Sequence, residues 1–410
     1  SSRLARKHYF HPDLPKGYQI SQYELPICIN GYIDIQVNGL PRRIRLTRIH
    51  MEEDAGKNIH DLRSDASLVD LNRAGVPLLE IVSEPDIRST EEAGSYLRTL
   101  RAILQYLGIC DGNMEEGSFR CDANVSVRPE GTEPLGTKAE LKNLNSFKAV
   151  EKALEYEIRR HIDTLTQGGK LLQETRLWDP DREVTRSMRS KEFAHDYRYF
   201  PDPDLLPIVV DDKWIEEVKA SLPELPEARK GRFISQYNLS VYDAELLTSR
   251  KDVADYFESA LKTHPNIKGI SNWIVSDLFR VLKDRQLDEQ LYVSQWPIRP
   301  EALAELVRLI DEGKISGKIA KTLFSEMLDS GRFPNEIVAE KGLAQVSDSA
   351  AIEKAIEQVL AAHPKQVDDY RGGNEKVFGF LVGQIMKATQ GKANPQKANE
   401  ILKQKLAREN

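Results

Sequence analysis

A proline-punctuated stretch at residues 222–229 separates two parts of the chain that have different hydrophobic patterns. Before it, short apolar runs alternate with polar residues between glycines and prolines, as β-strands do, and are mixed with helical patterns. After it, apolar residues recur at helical spacing and strand patterns disappear. The sequence therefore predicts an α+β fold: a mixed-sheet domain at 1–221, an all-helical domain at 222–338 and a small helical tail domain at 339–410.

Local signals predict several individual elements. Residues 31–39 alternate apolar and polar side chains before an Asn-Gly pair, which is typical of a hairpin. Residues 89–108 open with a Ser-x-x-Glu capping box and close at a glycine, which predicts a helix, and residues 145–169 have a similar pattern. In the tail, helices are expected at about 350–362 and 367–389.

Composition excludes several classes of protein. The chain has 410 residues and a net charge of −6, so it is not a polybasic coat for nucleic acid. No apolar run approaches the roughly 18 residues that a membrane span needs. Three cysteines without a Cys-x-x-Cys pair argue against a disulfide framework and a structural zinc site, and residues 1–8 lack the apolar segment of a secretory signal. We expect a cytoplasmic protein.

The chemistry predicted from the residues depends on acidic clusters, because no P-loop, dinucleotide fingerprint, nucleophile elbow or metalloprotease helix is present. Four clusters lie near predicted strand ends, at residues 50–57, 77–86, 114–124 and 136–143. Carboxylates without cysteine suit Mg²⁺, and interleaved cations can neutralise phosphate oxygens. These cations are Lys57, Arg120, Lys138 and Lys142. The structural alternative for each cluster is a solvated face or an ion pair.

Three further features remain open on the residues alone. His50 can be a metal ligand or proton shuttle, but a hydrogen-bonded structural role is favoured and we do not assign it to catalysis. The aromatic and polar stretch at 196–204 can stack on a base or pack the edge of the core. Residues 371–410 are basic, so the tail can follow an RNA backbone or form a solvated amphipathic helix. The candidate tRNA contacts there are Lys376, Lys387, Lys392 and Lys397.

Long blocks of sequence resemble the GatB family, the B subunits of the aspartyl/glutamyl-tRNA(Asn/Gln) amidotransferases. They include RIHMEEDAGK at 48–57, VDLNRAGVPLLEIVSEPD at 69–86, MEEGSFRCDANVS at 114–126, GTKAELKNLNSF at 136–147, DYRYFPDPD at 196–204 and GFLVGQIMKATQGKANPQ at 379–396. The similarity runs essentially from end to end. It implies a cradle-shaped catalytic domain, a helical domain and a YqeY-like tail that binds tRNA.

The resemblance also implies the reaction and its participants. ATP phosphorylates the side-chain carboxylate of glutamate or aspartate misacylated onto tRNA(Gln) or tRNA(Asn), and ammonia then displaces phosphate to form the amide. The enzyme is thus expected to be a ligase that forms carbon–nitrogen bonds with glutamine as amido-nitrogen donor (EC 6.3.5.-), using ATP and Mg²⁺. The chain has no Ser-Ser-Lys amidase signature, so its expected partners in a heterotrimer are the family's amidase (glutaminase) subunit, which supplies ammonia, and the family's small subunit.

Site residues follow from the same resemblance. Glu53 and Glu80 are implied as catalytic residues and metal ligands, with Glu52, Asp122 and Glu140 as further ligands. Lys138 and Lys142, together with Arg120, are candidates for phosphate and ATP contacts. The polar residues near the inner end of the ammonia passage are Lys7, Tyr9, Lys16, Tyr18, Gln19 and Ser21.

Two points qualify the predicted activity. Family members begin with a segment that carries a Glu-x-His metal-binding pair, and this chain starts downstream of it, so a truncated catalytic domain is expected. Two other functions remain as alternatives: a non-catalytic tRNA-binding scaffold, and an ATP-dependent carboxylate–amine ligase that acts on a free metabolite.

Overall fold

The computed structural model describes residues 2–60, 67–188, 197–285, 295–343, 349–389, 391 and 393–407. The chain forms two compact units, Ser1–Leu225 and Pro226–Asn410. The first unit contains the sheets and the second is helical. This order agrees with the α+β class predicted from the sequence.

The first unit contains a six-stranded sheet whose strands come from distant parts of the chain. Its strand order is β12-β1-β2-β4-β3, and β7 also pairs with β4. The strands are β1 (Ala5–His8), β2 (Tyr18–Ser21), β3 (Cys28–Val37), β4 (Leu40–Glu53), β7 (Pro77–Ser83) and β12 (Phe200–Pro201). Asn38 and Gly39, with φ of 51° and 78°, form the predicted hairpin turn between β3 and β4.

A second sheet of four strands has the order β11-β10-β9-β8. These strands are β8 (Ala123–Val125), β9 (Ala139–Lys142), β10 (Glu174–Asp179) and β11 (Val184–Ser187), and a separate pair is formed by β5 (Lys57–His60) and β6 (Ser67–Asp70). The β9–β10 pair is parallel and the others are antiparallel. The second sheet is therefore mixed, as predicted.

Two helices pack between the sheets of the first unit and contribute to one hydrophobic core. In α1 (Thr90–Tyr106) the N-cap Ser89 accepts a hydrogen bond from the Glu92 amide, and in α2 (Phe147–Thr166) the N-cap Ser146 accepts one from Ala149. Helix α1 packs on β3, α2 packs on β8, β9 and β11, and the helices pack on each other. Their apolar faces thus join the two sheets in one hydrophobic core.

The N-terminal unit ends with α3 (Asp212–Ser221), and the second unit is built from helices around two apolar clusters. One cluster involves residues between 233 and 343, and the other involves residues between 352 and 406. The helices are α4 (Pro226–Tyr237), α5 (Val241–Thr248), α6 (Lys251–Thr263), α7 (Ile267–Asn272), α8 (Phe279–Asp284), α9 (Pro300–Asp311), α10 (Gly317–Ser330), α11 (Pro334–Lys341), α12 (Ser349–Ala362), α13 (Pro364–Arg371), α14 (Lys376–Ala388) and α15 (Pro395–Ala407). A π-helical segment, Trp273–Leu278, joins α7 to α8.

Two sequence predictions about this architecture have different outcomes. The domain limits at 221/222 and 338/339 stay predictions, although the two compact units meet only a few residues from the first limit. The single tail helix expected at 367–389 is interrupted, because α13 ends at Arg371 and α14 begins at Lys376. Gly373 between them has a φ of 98°, which a helix interior does not contain. Across the described ranges, no helix is both long enough and apolar enough to cross a bilayer.

Candidate active site

A β-bulge in β4 determines which side chains reach the candidate active site. Strand β7 pairs Ser83 with Leu46, but its preceding residue, Val82, pairs with Arg48. One extra residue of β4 therefore lies between the two pairs. Bulges of this kind change the direction of the following side chains and are frequent beside active sites.

The bulge reverses the face on which β4 presents its apolar residues. Ile44 and Leu46, before the bulge, are buried in the hydrophobic core, and Ile49, after it, packs against the same core. Because side chains alternate along a strand, His50 and Glu52 project from the opposite face. Two polar residues that a regular strand would turn into the core are thus available for a site.

The register of the sheet brings three ionisable side chains together. Glu80 of β7 lies opposite His50, and Ser21 of β2 lies opposite Glu52. The His50 Nε2 atom is 3.1 Å from Glu52 Oε1 and 3.8 Å from Glu80 Oε2. In the described part of the chain, His50, Glu52 and Glu80 are the one group of three or more possible metal ligands whose atoms lie within 4.8 Å of one another.

The three side chains differ in their access to solvent. His50 is fully buried, the Glu52 side chain is 8% exposed and the Glu80 side chain is 49% exposed, so the group opens to solvent at Glu80. Burial raises the pKa of Glu52, but hydrogen bonds from His50 and Ser21 lower it more, so the pKa lies below its ordinary value. This keeps Glu52 ionised at neutral pH, as a metal ligand must be.

Glu53 has different partners from Glu52, its neighbour on the strand. Lys16 Nζ lies 2.6 Å from Glu53 Oε1, and the Ile20 amide donates to the same oxygen at 3.0 Å. Gln19 donates to Glu52 Oε2 at 3.2 Å and to the Glu53 carbonyl at 2.8 Å. The structure thus places Glu53 in an ion pair beside the group of three, and its catalytic and metal-binding roles stay predictions.

The polar residues assigned to an ammonia passage lie on β1, β2 and the loop between them. Ser21 donates to Glu52 Oε1 at 2.8 Å, and the Lys16 ammonium is 4.8 Å from the centre of the Tyr18 ring. The Lys7 ammonium is 4.6 Å from the centre of the Tyr197 ring. These contacts place polar groups around Glu52 and Glu53, and the passage itself stays a prediction.

Tyrosines from the 196–204 stretch pack against the same region. The Tyr199 ring stacks on Tyr23 with centroids 5.4 Å apart, and Tyr197 lies edge-on to Tyr199 at 6.2 Å. Burial and the negative charges of Glu52 and Glu80 raise the pKa of Tyr199 above its ordinary value. The described part of this stretch therefore borders the acidic group.

The other predicted ligands and phosphate contacts lie on β9 of the second sheet or in the segments just before β8 and β9. Lys142 Nζ is 3.0 Å from Asp122 Oδ2 and 3.4 Å from Glu140 Oε1. Burial lowers the pKa of Lys142, but the charges of Asp122 and Glu140 raise it more, so it stays above its ordinary value. Lys138 and Glu140 also line a polar depression of about 200 Å³ with Asn124.

Lys142 also connects this sheet electrostatically to the polar loop. Burial and the charges of Asp13 and Tyr197 raise the pKa of Tyr9, whereas Lys142 lowers it. Arg120 has a structural partner, because its guanidinium donates to the buried Asp54 at 2.7 Å. Asp122 and Glu140 do not join the group formed by His50.

Three of the four predicted tRNA-binding lysines are described by the structure. Lys376 begins α14, Lys387 lies in its last turn and Lys397 lies in the first turn of α15. All three are exposed. Lys392 lies outside the described residues.

Comparison with known proteins decides the family. The GatB/GatE catalytic domain matches residues 1–216, and a second model, described as the GatB domain, matches residues 255–406. The chain belongs to the GatB family. A relative from Carboxydothermus hydrogenoformans is 57% identical over 409 residues, and one from Geobacter sulfurreducens is 58% identical over 408 residues. Each match covers 99% of this chain and 84% of the relative.

Both relatives are named as the B subunit of an aspartyl/glutamyl-tRNA(Asn/Gln) amidotransferase. Membership of the GatB family confirms the function predicted from the sequence blocks, that of the B subunit in a tRNA-dependent amidotransferase. It also confirms the enzyme class, a ligase that forms carbon–nitrogen bonds. The expected loss of an N-terminal segment stays a prediction.

His50 was not expected in the site from the sequence, although the structure places it at the centre of the acidic group. The available signal was the His-x-Glu spacing of His50 and Glu52, which puts two side chains on the same face of a strand. Their approach to Glu80 depends on the pairing of β4 with β7, which lies about 30 residues further along the chain.

Proposed function

We propose that this chain carries out the activation step of the amidotransferase, in which ATP phosphorylates the side-chain carboxylate of glutamyl-tRNA(Gln) or aspartyl-tRNA(Asn). The observation that carries the proposal is the convergence of Glu52 and Glu80, from different strands, beside the polar loop that contains Lys16. Such a group is suited to positioning a phosphoryl donor and an acceptor together.

The donor set of the acidic group fits Mg²⁺. Glu52 and Glu80 offer carboxylate oxygens from two strands, and Mg²⁺ in proteins is commonly held by one or two carboxylates together with water and phosphate oxygens. The half-exposed Glu80 leaves one side open to such ligands. When bound, Mg²⁺ supplies positive charge that offsets the charge on the phosphate oxygens.

The reaction proceeds by two displacement steps, first at phosphorus and then at the acyl carbon. A carboxylate oxygen of the substrate attacks the γ-phosphorus of ATP, and the bond to the departing ADP breaks. Ammonia then attacks the acyl carbon, loses a proton and expels phosphate, which leaves the amide. The acyl phosphate is required because a carboxylate has no adequate leaving group of its own.

The chain's other polar residues act by positioning charged groups. Lys138 and Lys142, on and beside β9, provide cations for phosphate oxygens, and Asp122 and Glu140 hold the Lys142 ammonium in place. Arg120 donates a hydrogen bond to Asp54 and so holds that carboxylate in position. The loop that includes Lys16 and the strand residues Gln19 and Ser21 forms the inner end of an ammonia passage lined by hydrogen-bonding groups.

The proposal includes partners and a location. A glutaminase subunit supplies ammonia, and the family's small subunit is the third member of a heterotrimer. Misacylated tRNA(Gln) or tRNA(Asn) binds the tail through exposed cations such as Lys376 and Lys387. We place the reaction in the cytoplasm. The names of the relatives support two of these assignments, namely that the chain is one subunit of a larger enzyme and that the enzyme acts with tRNA.

The experiment replaces the carboxylates one at a time in the assembled amidotransferase. Glu80→Gln and Glu52→Gln should each reduce ATP hydrolysis coupled to misacylated tRNA by about 100-fold or more, because charge stabilisation at the reacting group is lost. Binding of the misacylated tRNA should be unchanged. Glu53→Gln tests the third predicted ligand in the same way.

The matched control is Glu216→Gln, which alters an exposed acid on α3. Equal turnover in Glu80→Gln, Glu52→Gln and this control would reject the metal role and favour a tRNA-binding scaffold. ATP turnover by the unaltered complex with free glutamate and no tRNA would favour a ligase that acts on a free metabolite.

A further inference from the structure

We infer that His50 and Arg48 form a positioning pair that orients the Glu52 carboxylate, and that His50 is not itself a ligand of the cation. This inference rests on the proposed function, because it assigns a role to residues behind the carboxylates of that site. His50 is completely buried, and the proposed reaction steps give it no role.

The direction of the hydrogen bonds fixes the tautomer of His50. Arg48 Nε donates to His50 Nδ1 at 3.3 Å. A guanidinium has no acceptor atom, so Nδ1 must present a lone pair and the ring proton must be on Nε2. That N–H faces Glu52 Oε1 at 3.1 Å. A nitrogen that carries a proton cannot coordinate a cation, whereas it is a good donor to a ligating carboxylate.

The Arg48 guanidinium packs against one aromatic ring. It lies 4.5 Å from the centre of the Tyr23 ring, and Tyr23 stacks on Tyr199 at 5.4 Å. The Tyr23 ring also meets His50 edge-on, with centroids 6.2 Å apart. The Tyr23 ring therefore contacts both members of the pair.

The consequence is a Glu52 carboxylate that is fixed at both oxygens. Oε1 accepts hydrogen bonds from Ser21 at 2.8 Å and from His50, and Oε2 accepts one from Gln19 at 3.2 Å. Each carboxylate oxygen has two lone pairs, so Oε1 is fully used by its two donors and Oε2 retains one lone pair for a cation. The bulge in β4 is what places Arg48, His50 and Glu52 on this one face.

The test uses Mn²⁺ as the probe with the assembled amidotransferase, and electron paramagnetic resonance to measure the free ion. Arg48→Met frees His50 Nδ1 to take the proton, and His50→Leu removes the donor to Glu52. Both should weaken Mn²⁺ binding by roughly 10- to 100-fold, the usual effect of removing a partner behind a metal ligand. His50→Gln retains an N–H group and should recover most of the affinity. Arg43→Met is the control, since Arg43 lies on the same strand but pairs with the exposed Asp34.

Electron spin-echo envelope modulation of bound Mn²⁺ gives a second readout that does not depend on turnover. We expect no directly coordinated nitrogen from His50. A coordinated nitrogen that disappears in His50→Gln, or equal Mn²⁺ affinity in Arg48→Met and Arg43→Met, would overturn the positioning role alone. Arg48→Met keeps the test valid if His50→Leu does not fold. Unchanged Mn²⁺ affinity in both Glu52→Gln and Glu80→Gln would overturn the proposed metal site as well.

Discussion

Replacing Glu157 with glutamine should destabilise the N-terminal unit by removing a buried charge. Glu157 on α2 is fully buried, and its carboxylate lies 2.9 Å from Arg160 on the same helix and 2.9 Å from Arg176 on β10. Thr185 on β11 donates a further hydrogen bond to it. This carboxylate therefore joins α2 to two strands of the second sheet. Glutamine would remove one of the two carboxylates that neutralise the Arg160 and Arg176 guanidinium groups and leave them to share Glu174.

The magnitude follows from the ionisation of Glu157. Burial raises the pKa of Glu157, but the close approach of His161 and hydrogen bonds from Arg160 and Thr185 lower it more, to about 2 from an ordinary value of 4.5. At ~1.4 kcal/mol for each pH unit, this corresponds to about 3 kcal/mol at neutral pH. Breaking a buried ion pair typically costs a similar amount, roughly 3–5 kcal/mol.

The sign of the pH dependence is also fixed. Because the pKa of Glu157 is lower in the folded state than in the unfolded state, the stabilisation is complete above the unfolded-state pKa of about 4.5. It decreases as the pH falls toward about 2, where the folded state also takes up the proton. The difference between parent and Glu157→Gln should therefore be largest at neutral pH and should shrink in acid.

Hydrogen exchange with mass spectrometry on peptides from α2 and β10 measures this locally. At neutral pH, Glu157→Gln should lower the opening free energy of α2 by about 3 kcal/mol. The control Glu155→Gln alters a side chain on the same helix that is 65% exposed, and should stay within about 0.5 kcal/mol of the parent. Equal protection in the two variants, or a difference that persists unchanged near pH ~3, would refute the reasoning.

Two further predictions concern the tail and the segment before β9. Lys387→Gln should weaken tRNA binding and lower the slope of log affinity against log salt concentration by roughly 1. The control Lys213→Gln, which alters an 84%-exposed lysine on α3, should leave the slope unchanged. Equal slopes in the two variants would contradict phosphate contacts by the tail. Gly136→Ala should lower the thermal unfolding temperature, because the added Cβ would overlap the Val127 carbonyl. The control Gly231→Ala, whose Cβ meets no atom within 4 Å, should raise the thermal unfolding temperature. An unaltered unfolding temperature in Gly136→Ala would contradict this packing.

The parts of the fold that depend on neighbouring residues were predictable from the sequence. The capping residue Ser89 and the stop at Gly108 bound α1 as expected, and Asn38-Gly39 forms the turn of the β3–β4 hairpin. The tail shows the limit of periodicity. Apolar spacing continues through residues 367–389, and it alone did not indicate that the chain would turn at Gly372-Gly373.

The candidate site was predictable only in part because its geometry depends on strand pairing. Glu52 and Glu80 are in acidic clusters that the sequence singled out. The resemblance ranked Glu53 ahead of Glu52, whereas the structure places Glu52 in the group with His50 and Glu80. Alternation along β4 gives Glu52 and Glu53 different partners, and the bulge before Arg48 determines which of them faces His50. A bulge is created by the register between β4 and β7, so no local pattern in β4 reveals it.

Transfer of an oxygen atom from the substrate carboxylate to phosphate would demonstrate the acyl phosphate. Glutamyl-tRNA labelled with ¹⁸O at both oxygens of its side-chain carboxylate is converted by the assembled amidotransferase with ATP, Mg²⁺ and glutamine, and the inorganic phosphate is examined by mass spectrometry. We expect the phosphate to acquire one labelled oxygen for each amide formed, and Glu80→Gln to slow this transfer by about 100-fold or more with the tRNA still bound. Label that stays out of the phosphate, or a parental rate of transfer in Glu80→Gln, would contradict this expectation.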